Sequence, residues 1–404
     1  MRRPAPFLTR LTSKLHRYAH GVPRGVIAPV VKNDLFYAYE SIFDFLAAFS
    51  VGRRTLMRGT QSAYGAAHLL ERGAASVVAV PRSPKIAAFG RESYEKVQYV
   101  ESEPADRFEV AIETDPTPER VRELVKHEKV LVVARPDDQV GAYEEILRAS
   151  FATVRRIDQI PRAALDLAST EPSSLTAASF EFAEGSGEAP LTAILFATSE
   201  PKWAEIQLHV GSGPVILPGW VNVDNMPYPG IDLLWGLERG IPFRGLRYIF
   251  AEHLIEHLTY ADASAFLRRC RDALRDDGVL RVTTPNLDWV WRIAYRPNDW
   301  TSPDEALRDC FVVNRAFHGW GHHFLYNENV LTATLHNAGF ADVRYVQYGE
   351  SSDPLLAGLE HHERYADDPS LPHVLCVEAT GRRATAARDH DEIISEYERD
   401  AAVR

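Results

Sequence analysis

Three residues that could transfer protons or bind a metal lie close together in the second half of the chain. His253, Glu256 and His257 stand at positions i, i+3 and i+4, so a helix over this segment would project all three from one face. Imidazole and carboxylate groups bind divalent metals, and a neutral imidazole can deprotonate a hydroxyl group. We interpret these three residues, with His322, as candidate catalytic residues. Metal binding by the first three is the less favoured alternative, and a purely structural role stays open.

A glycine-rich turn precedes these residues. Residues 206–224 read IQLHVGSGPVILPGWVNVD, in which one strand would end at Gly211 and a second strand at Asp224. Glycines let a ligand approach the backbone, and a carboxylate at the end of the next strand can bind both hydroxyls of a ribose. Asp224 lies only 11 residues past Gly213 and there is no Walker lysine, so the dinucleotide and phosphate-binding patterns are not met. A plain turn between strands is the alternative.

The elements that would position these residues follow a regular order. Short apolar runs alternate with segments of helical periodicity in both halves, which indicates βαβ units and a mostly parallel sheet. The candidate strands are Arg54–Met57, Ser76–Val80, Val97–Val100, Glu109–Glu113, Val130–Ala134, Ile206–Val210, Trp220–Asp224, Arg247–Ala251 and Val279–Thr283.

The two halves also resemble each other. Residues 150–157 read SFATVRRI and residues 339–346 read GFADVRYV, while KVLVVARP at 129–136 matches GVLRVTTP at 278–285. We interpret this as a duplication of one α/β module, with convergence on a common strand pattern as the alternative.

Residues 206–380 resemble a family of class I S-adenosylmethionine-dependent methyltransferases with the opening LxxGxGxxxLPGWxNVD. The chain reads LHVGSGPVILPGWVNVD there, followed by the similar blocks YIFAEHLIEHL, LRDDGVLRVTTPNL, GWGHHFLY, AGFADV and GESSDP in the family's order. The resemblance implies an α/β fold of two tandem Rossmann-like modules, each a mostly parallel seven-stranded sheet flanked by helices.

The resemblance also implies a binding site for S-adenosylmethionine. Gly211 and Gly213 would pass beneath the methionine and ribose portions, and Asp224 would hold the ribose hydroxyls. Gly236 stands in a segment where related proteins often have an acid that contacts the adenine amino group. The implied cofactor-binding residues are Val210, Gly211, Ser212, Gly213, Asp224, Gly236, Leu237, Ala251, Glu252 and His253.

The first half resembles a methyltransferase opening that has lost its ligand-binding residues. Residues 51–66 read VGRRTLMRGTQSAYGA, where Met57 replaces the strand acid and Gln61 and Ala63 replace glycines. Pro81 stands where the ribose-binding acid would be, and proline cannot accept its hydrogen bonds. We therefore expect a folded domain without a cofactor.

Charge and composition limit the possible partners. The chain of 404 residues has 45 basic and 56 acidic residues, a balance of −11. Residues 1–32 carry seven basic residues and no acid, so the remainder has a balance of −18. This argues against broad nucleic-acid binding by the whole surface. We interpret the basic arm as solvated or docked on the acidic body of its own protein, and contact with a polyanion or a membrane surface is the alternative. Three scattered cysteines, no long apolar stretch and no signal sequence indicate a cytoplasmic protein.

The sequence thus predicts a methyltransferase that uses S-adenosylmethionine, with O-methylation of a small-molecule or glycan acceptor by the second half. A divalent metal is possible but not favoured, and a homodimer is possible. The alternative is a non-catalytic scaffold of a biosynthetic assembly. The expected organisation is a basic arm over 1–32, a degenerate domain over 33–200, the methyltransferase domain over 203–381 and a charged tail over 382–404.

Overall fold

The computed structural model describes residues 42–60, 63–134, 139–157, 193–241, 243–297, 299–362, 370–383 and 388–401. The basic arm over residues 1–32 lies outside these ranges. Apolar residues at helical spacing over residues 34–50 predict a helix. Its residues up to 41 lie outside the described ranges, and residues 42–48 are helical.

Within the described residues, the first sheet has seven strands. They are β1 (Arg54–Arg58), β2 (Ser76–Val80), β3 (Gln98–Tyr99), β4 (Val110–Glu113), β5 (Lys129–Ala134), β6 (Thr153–Ile157) and β7 (Ala193–Thr198). Their order is β3-β2-β1-β4-β5-β7-β6. The first five run parallel to their neighbours, whereas β7 is antiparallel to β5 and β6. Valine, alanine and isoleucine dominate these strands because both faces of such a sheet are buried.

The second sheet repeats this arrangement. Its strands are β8 (Gln207–Val210), β9 (Val221–Asp224), β10 (Leu233–Leu234), β11 (Leu246–Glu252), β12 (Leu274–Pro285), β13 (Asp342–Val346) and β14 (Val374–Thr380). The order is β10-β9-β8-β11-β12-β14-β13, and β14 is antiparallel to β12 and β13. Each strand predicted from the sequence is present, although β3 is shorter and β12 begins earlier than predicted.

Helices connect most of the strands. Two examples show how capping residues start these helices. The Thr259 side chain accepts a hydrogen bond from the backbone N–H of Asp262, and the Asn327 side chain accepts one from the backbone N–H of Val330. The helices are α1 (42–48), α2 (Ala63–Glu71), α3 (Pro84–Ser93), α4 (Pro118–Leu124), α5 (Val140–Arg148), α6 (Tyr260–Ala273), α7 (Leu287–Ala294), α8 (Pro303–His318), α9 (Glu328–Asn337) and α10 (Asp391–Ala401).

Contacts divide the chain into two compact units. The first comprises the residues up to Ala204 together with Asp224–Pro242, and the second comprises Glu205–Val223 with the residues from Phe243 onward. Within the first unit, the rings of Phe45 and Trp235 meet edge to face with centroids 5.8 Å apart. Of the helices that the structure describes, none has the length and apolar character needed to cross a bilayer.

Candidate active site

The glycine turn follows β8. Gly211 and Gly213 adopt left-handed backbone angles, with φ of 66° and 54°, which residues with a side chain rarely adopt. A Cβ atom added to Gly211 would lie 2.8 Å from Leu254 Cδ1, whereas one added to Gly213 would meet no described atom within 4 Å. Val210 and Ser212 are buried. The turn therefore leaves open space beside Gly213.

A buried asparagine holds the loop between β8 and β9. Asn222 Oδ1 accepts from the backbone N–H of Leu217 at 2.9 Å, and its Nδ2 donates to the backbone oxygens of Leu217 and Trp220, both at 3.1 Å. His209 Nδ1 lies 3.0 Å from the same Oδ1. These contacts give a physical reason for the LPGWVN spacing. The role of Asn222 could not be predicted from the sequence, because a buried side-chain amide that bonds to a loop backbone has no local sequence pattern.

Asp224 ends the neighbouring strand. Its side chain is buried, and Oδ1 accepts from the backbone N–H of Met226 at 2.8 Å. Ser212 N donates to the oxygen of Val223, the residue before it, at 3.1 Å. Strands β8 and β9 are parallel neighbours. The glycine turn and the end of β9 consequently stand at the same edge of the second sheet.

The residues expected to flank an adenine lie in a short turn. Gly236 precedes a turn of 3-10 helix over Leu237–Arg239, and Leu237 is half-buried. The Glu238 carboxylate folds back against Gly236, into the place that a Cβ atom there would take. Glu238 therefore brings a carboxylate beside the position where the resemblance expects an acid and the sequence has glycine. An acid two positions away was the signal that could have found it.

Ala251 and Glu252 end β11, and both are buried. Glu252 Oε1 accepts from the backbone N–H groups of His361 at 2.9 Å and His362 at 3.0 Å. Burial alone would raise the pKa of this carboxyl, but the His362 side chain and the two N–H groups outweigh burial and lower it. The charged Glu252 side chain thus anchors the chain at residues 361–362.

The helix that the spacing of residues 253–257 would allow does not form at His253. Strand β11 ends at Glu252, His253 has a left-handed φ of 48°, and only Ile255–His257 form a turn of 3-10 helix. The physical reason lies in the sheet, because His253 N donates to the backbone oxygen of Thr283 in β12 at 3.0 Å. That bond extends the strand pairing by one residue and prevents helical backbone at His253.

His253 and Glu256 nevertheless meet. His253 Nδ1 lies 2.8 Å from Oε1 of the fully buried Glu256, whose other oxygen accepts from Thr284 Oγ1 at 3.1 Å. A carboxylate only accepts, so in the neutral ring Nδ1 carries the hydrogen and Nε2 keeps a lone pair. Nε2 is buried, without a hydrogen-bond partner in the described part of the chain. The ring stacks on His362 with centroids 4.3 Å apart. Thr284 and His362 are site residues that the sequence analysis missed.

His257 and His322 come together from separate segments. Their ring centroids are 5.0 Å apart, and His322 Nδ1 lies 2.7 Å from the backbone oxygen of Ala316. The backbone N–H of His323 donates to the backbone oxygen of Glu256 at 2.7 Å and fastens the two segments. Ligand atoms of Glu256, His257 and His322 all lie within 4.8 Å of one another. Within the described residues, the structure thus groups His322, rather than His253, with the other two.

The corresponding turn of the first sheet is filled by its own side chains. Gly59 follows β1 with φ of 72°, and a Cβ atom there would collide with the Glu113 carboxylate and lie 2.7 Å from Asp115 Cβ. Glu113 is fully buried, and the Nε atoms of Arg58 and Arg120 lie 3.2 and 3.1 Å from its Oε2. An ion-pair cluster therefore fills the space beside Gly59, whereas the corresponding space beside Gly213 is open.

Solved structures resemble the chain at low identity. The magnesium protoporphyrin IX methyltransferase of Synechocystis PCC 6803, with bound S-adenosylmethionine, is 13% identical over 49% of this chain and 100% of its own, with a TM-score of 0.30. The ribosomal protein L11 methylase of Lactobacillus delbrueckii subsp. bulgaricus is 15% identical over 30% and 72%, with a TM-score of 0.26. A protein of Thermoplasma acidophilum is 11% identical over 46% and 94%, with a TM-score of 0.29. No protein-family model and no curated protein matches the sequence.

The strand order identifies the fold. Numbered within each half, both sheets have the order 3-2-1-4-5-7-6, with the seventh strand antiparallel between the fifth and the sixth. This is the arrangement of the Rossmann-like class I methyltransferase fold. The chain contains that fold twice, in tandem.

Proposed function

We propose that the second sheet binds S-adenosylmethionine and that the chain methylates a hydroxyl oxygen of a small-molecule or glycan acceptor. The observation that carries this proposal is the open, left-handed turn at Gly213, at the sheet edge where β9 ends in Asp224. Such a turn admits a nucleoside cofactor to the backbone, and a carboxylate there can accept from ribose hydroxyls. The filled turn at Gly59 supports a first sheet without this cofactor.

Different residues of the chain bind the cofactor and accept the proton. When bound, S-adenosylmethionine supplies an electrophilic methyl group on a positively charged sulfur. Asp224 holds the ribose, and Glu238 offers a carboxylate to the adenine amino group. His253, oriented by the Glu256 carboxylate through Nδ1, accepts the proton of the acceptor hydroxyl on Nε2. Little covalent help is needed, because the reaction depends on an oriented, in-line nucleophile.

Calorimetric titration of the full chain with S-adenosylmethionine tests cofactor binding. Wild type and the control Asp277→Ala, at an exposed carboxylate of β12, should bind alike. Asp224→Ala should weaken binding about tenfold or more, because each lost charge-assisted hydrogen bond contributes about 1.5–3 kcal/mol. Gly213→Val should abolish binding, since its side chain is strained at positive φ and fills the open space. If the wild type does not bind S-adenosylmethionine, the methyltransferase proposal is refuted and the non-catalytic scaffold remains as the alternative.

A screen of hydroxylated metabolites and nucleotide sugars with a labelled methyl donor tests the chemistry. We expect His253→Ala to lose most of the transfer rate at saturating methyl donor, because general-base catalysis contributes about 100- to 10,000-fold. Transfer that survives undiminished in this variant would remove His253 from the mechanism.

A further inference from the structure

We propose that Glu256, His257 and His322 form a binding site for one divalent transition-metal ion. They supply one carboxylate and two imidazoles, and their ligand atoms lie within 4.8 Å of one another. The existence of the site is independent of the cofactor, although its chemical use rests on the proposed methyl transfer. The sequence spacing suggested His253, Glu256 and His257 as the three ligands. In the tertiary structure, His322 instead of His253 lies with Glu256 and His257.

Glu256 is built into the fold as a fixed ligand. Its side chain is fully buried, and its two oxygens are oriented by His253 and by the Thr284 hydroxyl. An ionised carboxylate has about four lone-pair positions, so two hydrogen bonds leave capacity for a metal. The backbone oxygen of the same residue accepts from His323 N, which holds His322 beside it. The carboxylate and the second imidazole are therefore preorganised by separate bonds.

The hydrogen bond of His322 is the second observation that points to a metal. Its Nδ1 lies 2.7 Å from the backbone oxygen of Ala316, which can only accept. The hydrogen is therefore on Nδ1, and Nε2 carries the lone pair that a metal ligand needs. Metal-binding histidines generally donate their other ring N–H to a carbonyl or carboxylate in this way. Nearby, Trp320 is held at a left-handed φ of 58°, a strain that is found at ligand clamps.

The donor set indicates the class of ion. Two imidazoles with one carboxylate suit Zn²⁺, Co²⁺, Fe²⁺ or Mn²⁺, whereas Mg²⁺ and Ca²⁺ prefer oxygen ligands alone. Three protein ligands leave coordination positions open, and the exposed His257 gives access from solvent. An ion held by these three residues would supply Lewis-acid polarisation of an oxygen bound at such a position.

Cobalt titration of the metal-stripped full chain tests the site, with visible absorption to detect imidazole coordination and calorimetry to give the affinity. Wild type and the control His323→Ala, which alters the exposed neighbouring histidine, should bind one Co²⁺. His257→Ala and His322→Ala should lose the absorption bands and bind about tenfold or more weakly. Because the His257 side chain is exposed, its variant should keep the fold, which circular dichroism checks.

Absence of cobalt binding to the wild type, equal binding by His257→Ala, or a preference for Mg²⁺ would each overturn the metal site. Titration of the same samples with S-adenosylmethionine separates this result from the proposed function. Cofactor binding without metal binding would refute the metal site alone. Metal binding without cofactor binding would retain the site and refute the methyltransferase proposal.

Discussion

At the scale of single residues, two equivalent glycine turns differ in what stands beside them. Gly213 faces open space, whereas the Glu113 carboxylate lies against Gly59. Glu113 is surrounded by Arg58, Arg120 and Asp115. Burial raises the pKa of Glu113 to about 7, an effect that outweighs the attraction of both arginines. The first sheet thus has a titratable carboxyl where the second has an opening.

This carboxyl should make the stability of the protein depend on pH. The folded state holds its pKa at about 7, against 4.5 for an ordinary glutamate, so the folded state binds more protons between these values. The unfolding free energy should therefore fall as pH rises from about 4.5 to about 7, by on the order of 3 kcal/mol. Glu113→Gln should lack this contribution. Denaturant unfolding at several pH values checks it, and parallel curves for the two proteins would contradict it.

Some site residues could be read from local sequence and others could not. Gly211, Gly213 and Asp224 follow directly from a strand–turn–strand pattern. Asn222 and Glu238 were missed, because the amide clamp and the folded-back carboxylate depend on the path of a loop. The conformation of these loops depends on how side chains pack in the folded protein, and the spacing of residues in the sequence does not show it.

At the scale of elements, the helix α10 is attached to the segment that carries His322. Tyr397 meets the rings of Tyr260 and Phe324 edge to face, with centroids 5.9 and 5.5 Å away. The backbone N–H of Phe324 in turn donates to the backbone oxygen of Glu256 at 3.2 Å. The helix α10, which lies in the predicted charged tail, therefore packs behind the candidate site.

Tyr397→Ala should lower the unfolding free energy by about 1–2 kcal/mol, since two aromatic contacts and the buried part of a side chain that is 42% exposed are lost. Ile393→Ala on the same helix is the matched control, because that side chain is 68% exposed, and it should change stability by less than about 0.5 kcal/mol. Urea unfolding of both variants measures the difference. Equal effects would show that α10 is not held by Tyr397.

The elements themselves were largely predictable, with one instructive exception. Alternation of apolar runs and helical periods located β1–β5, β8, β9, β11 and β12, but it did not predict β10, which has only two residues. The segment from His253 to His257 has helical spacing as well, yet the bond from His253 N to Thr283 O and the left-handed φ of His253 exclude helical backbone at its start. Sequence periodicity cannot show that a neighbouring strand competes for the same backbone donor.

At the scale of the whole molecule, the segment Asp224–Pro242 belongs to the first compact unit. Arg239 is ion-paired with Asp44 at 3.1 Å, and Trp235 packs on Phe45. In the sequence, this segment lies near the start of the second module, which was predicted over residues 203–381. Its contacts, however, belong to the first compact unit, which contains the residues up to Ala204.

A fragment of residues 203–404 should therefore be cleaved by trypsin after Arg239 about tenfold faster or more than the full chain, because local opening is easier without Asp44 and Phe45. Arg382, whose side chain is 51% exposed, is the control site and should be cleaved at similar rates in both. Mass spectrometry of timed digests gives the rates. Equal cleavage at Arg239 in the two proteins would show that the segment needs no support from the first unit.

The amino-acid sequence by itself determined the duplicated α/β pattern, the glycine turn and the acid at the end of β9. These features depend on periodicity and on backbone angles over a few residues. The tertiary structure alone decided that His322 joins Glu256, that Glu113 fills the first turn and that Tyr397 supports the site. Each of these contacts joins segments far apart in the chain, and only the packing of whole elements brings such side chains within bonding distance.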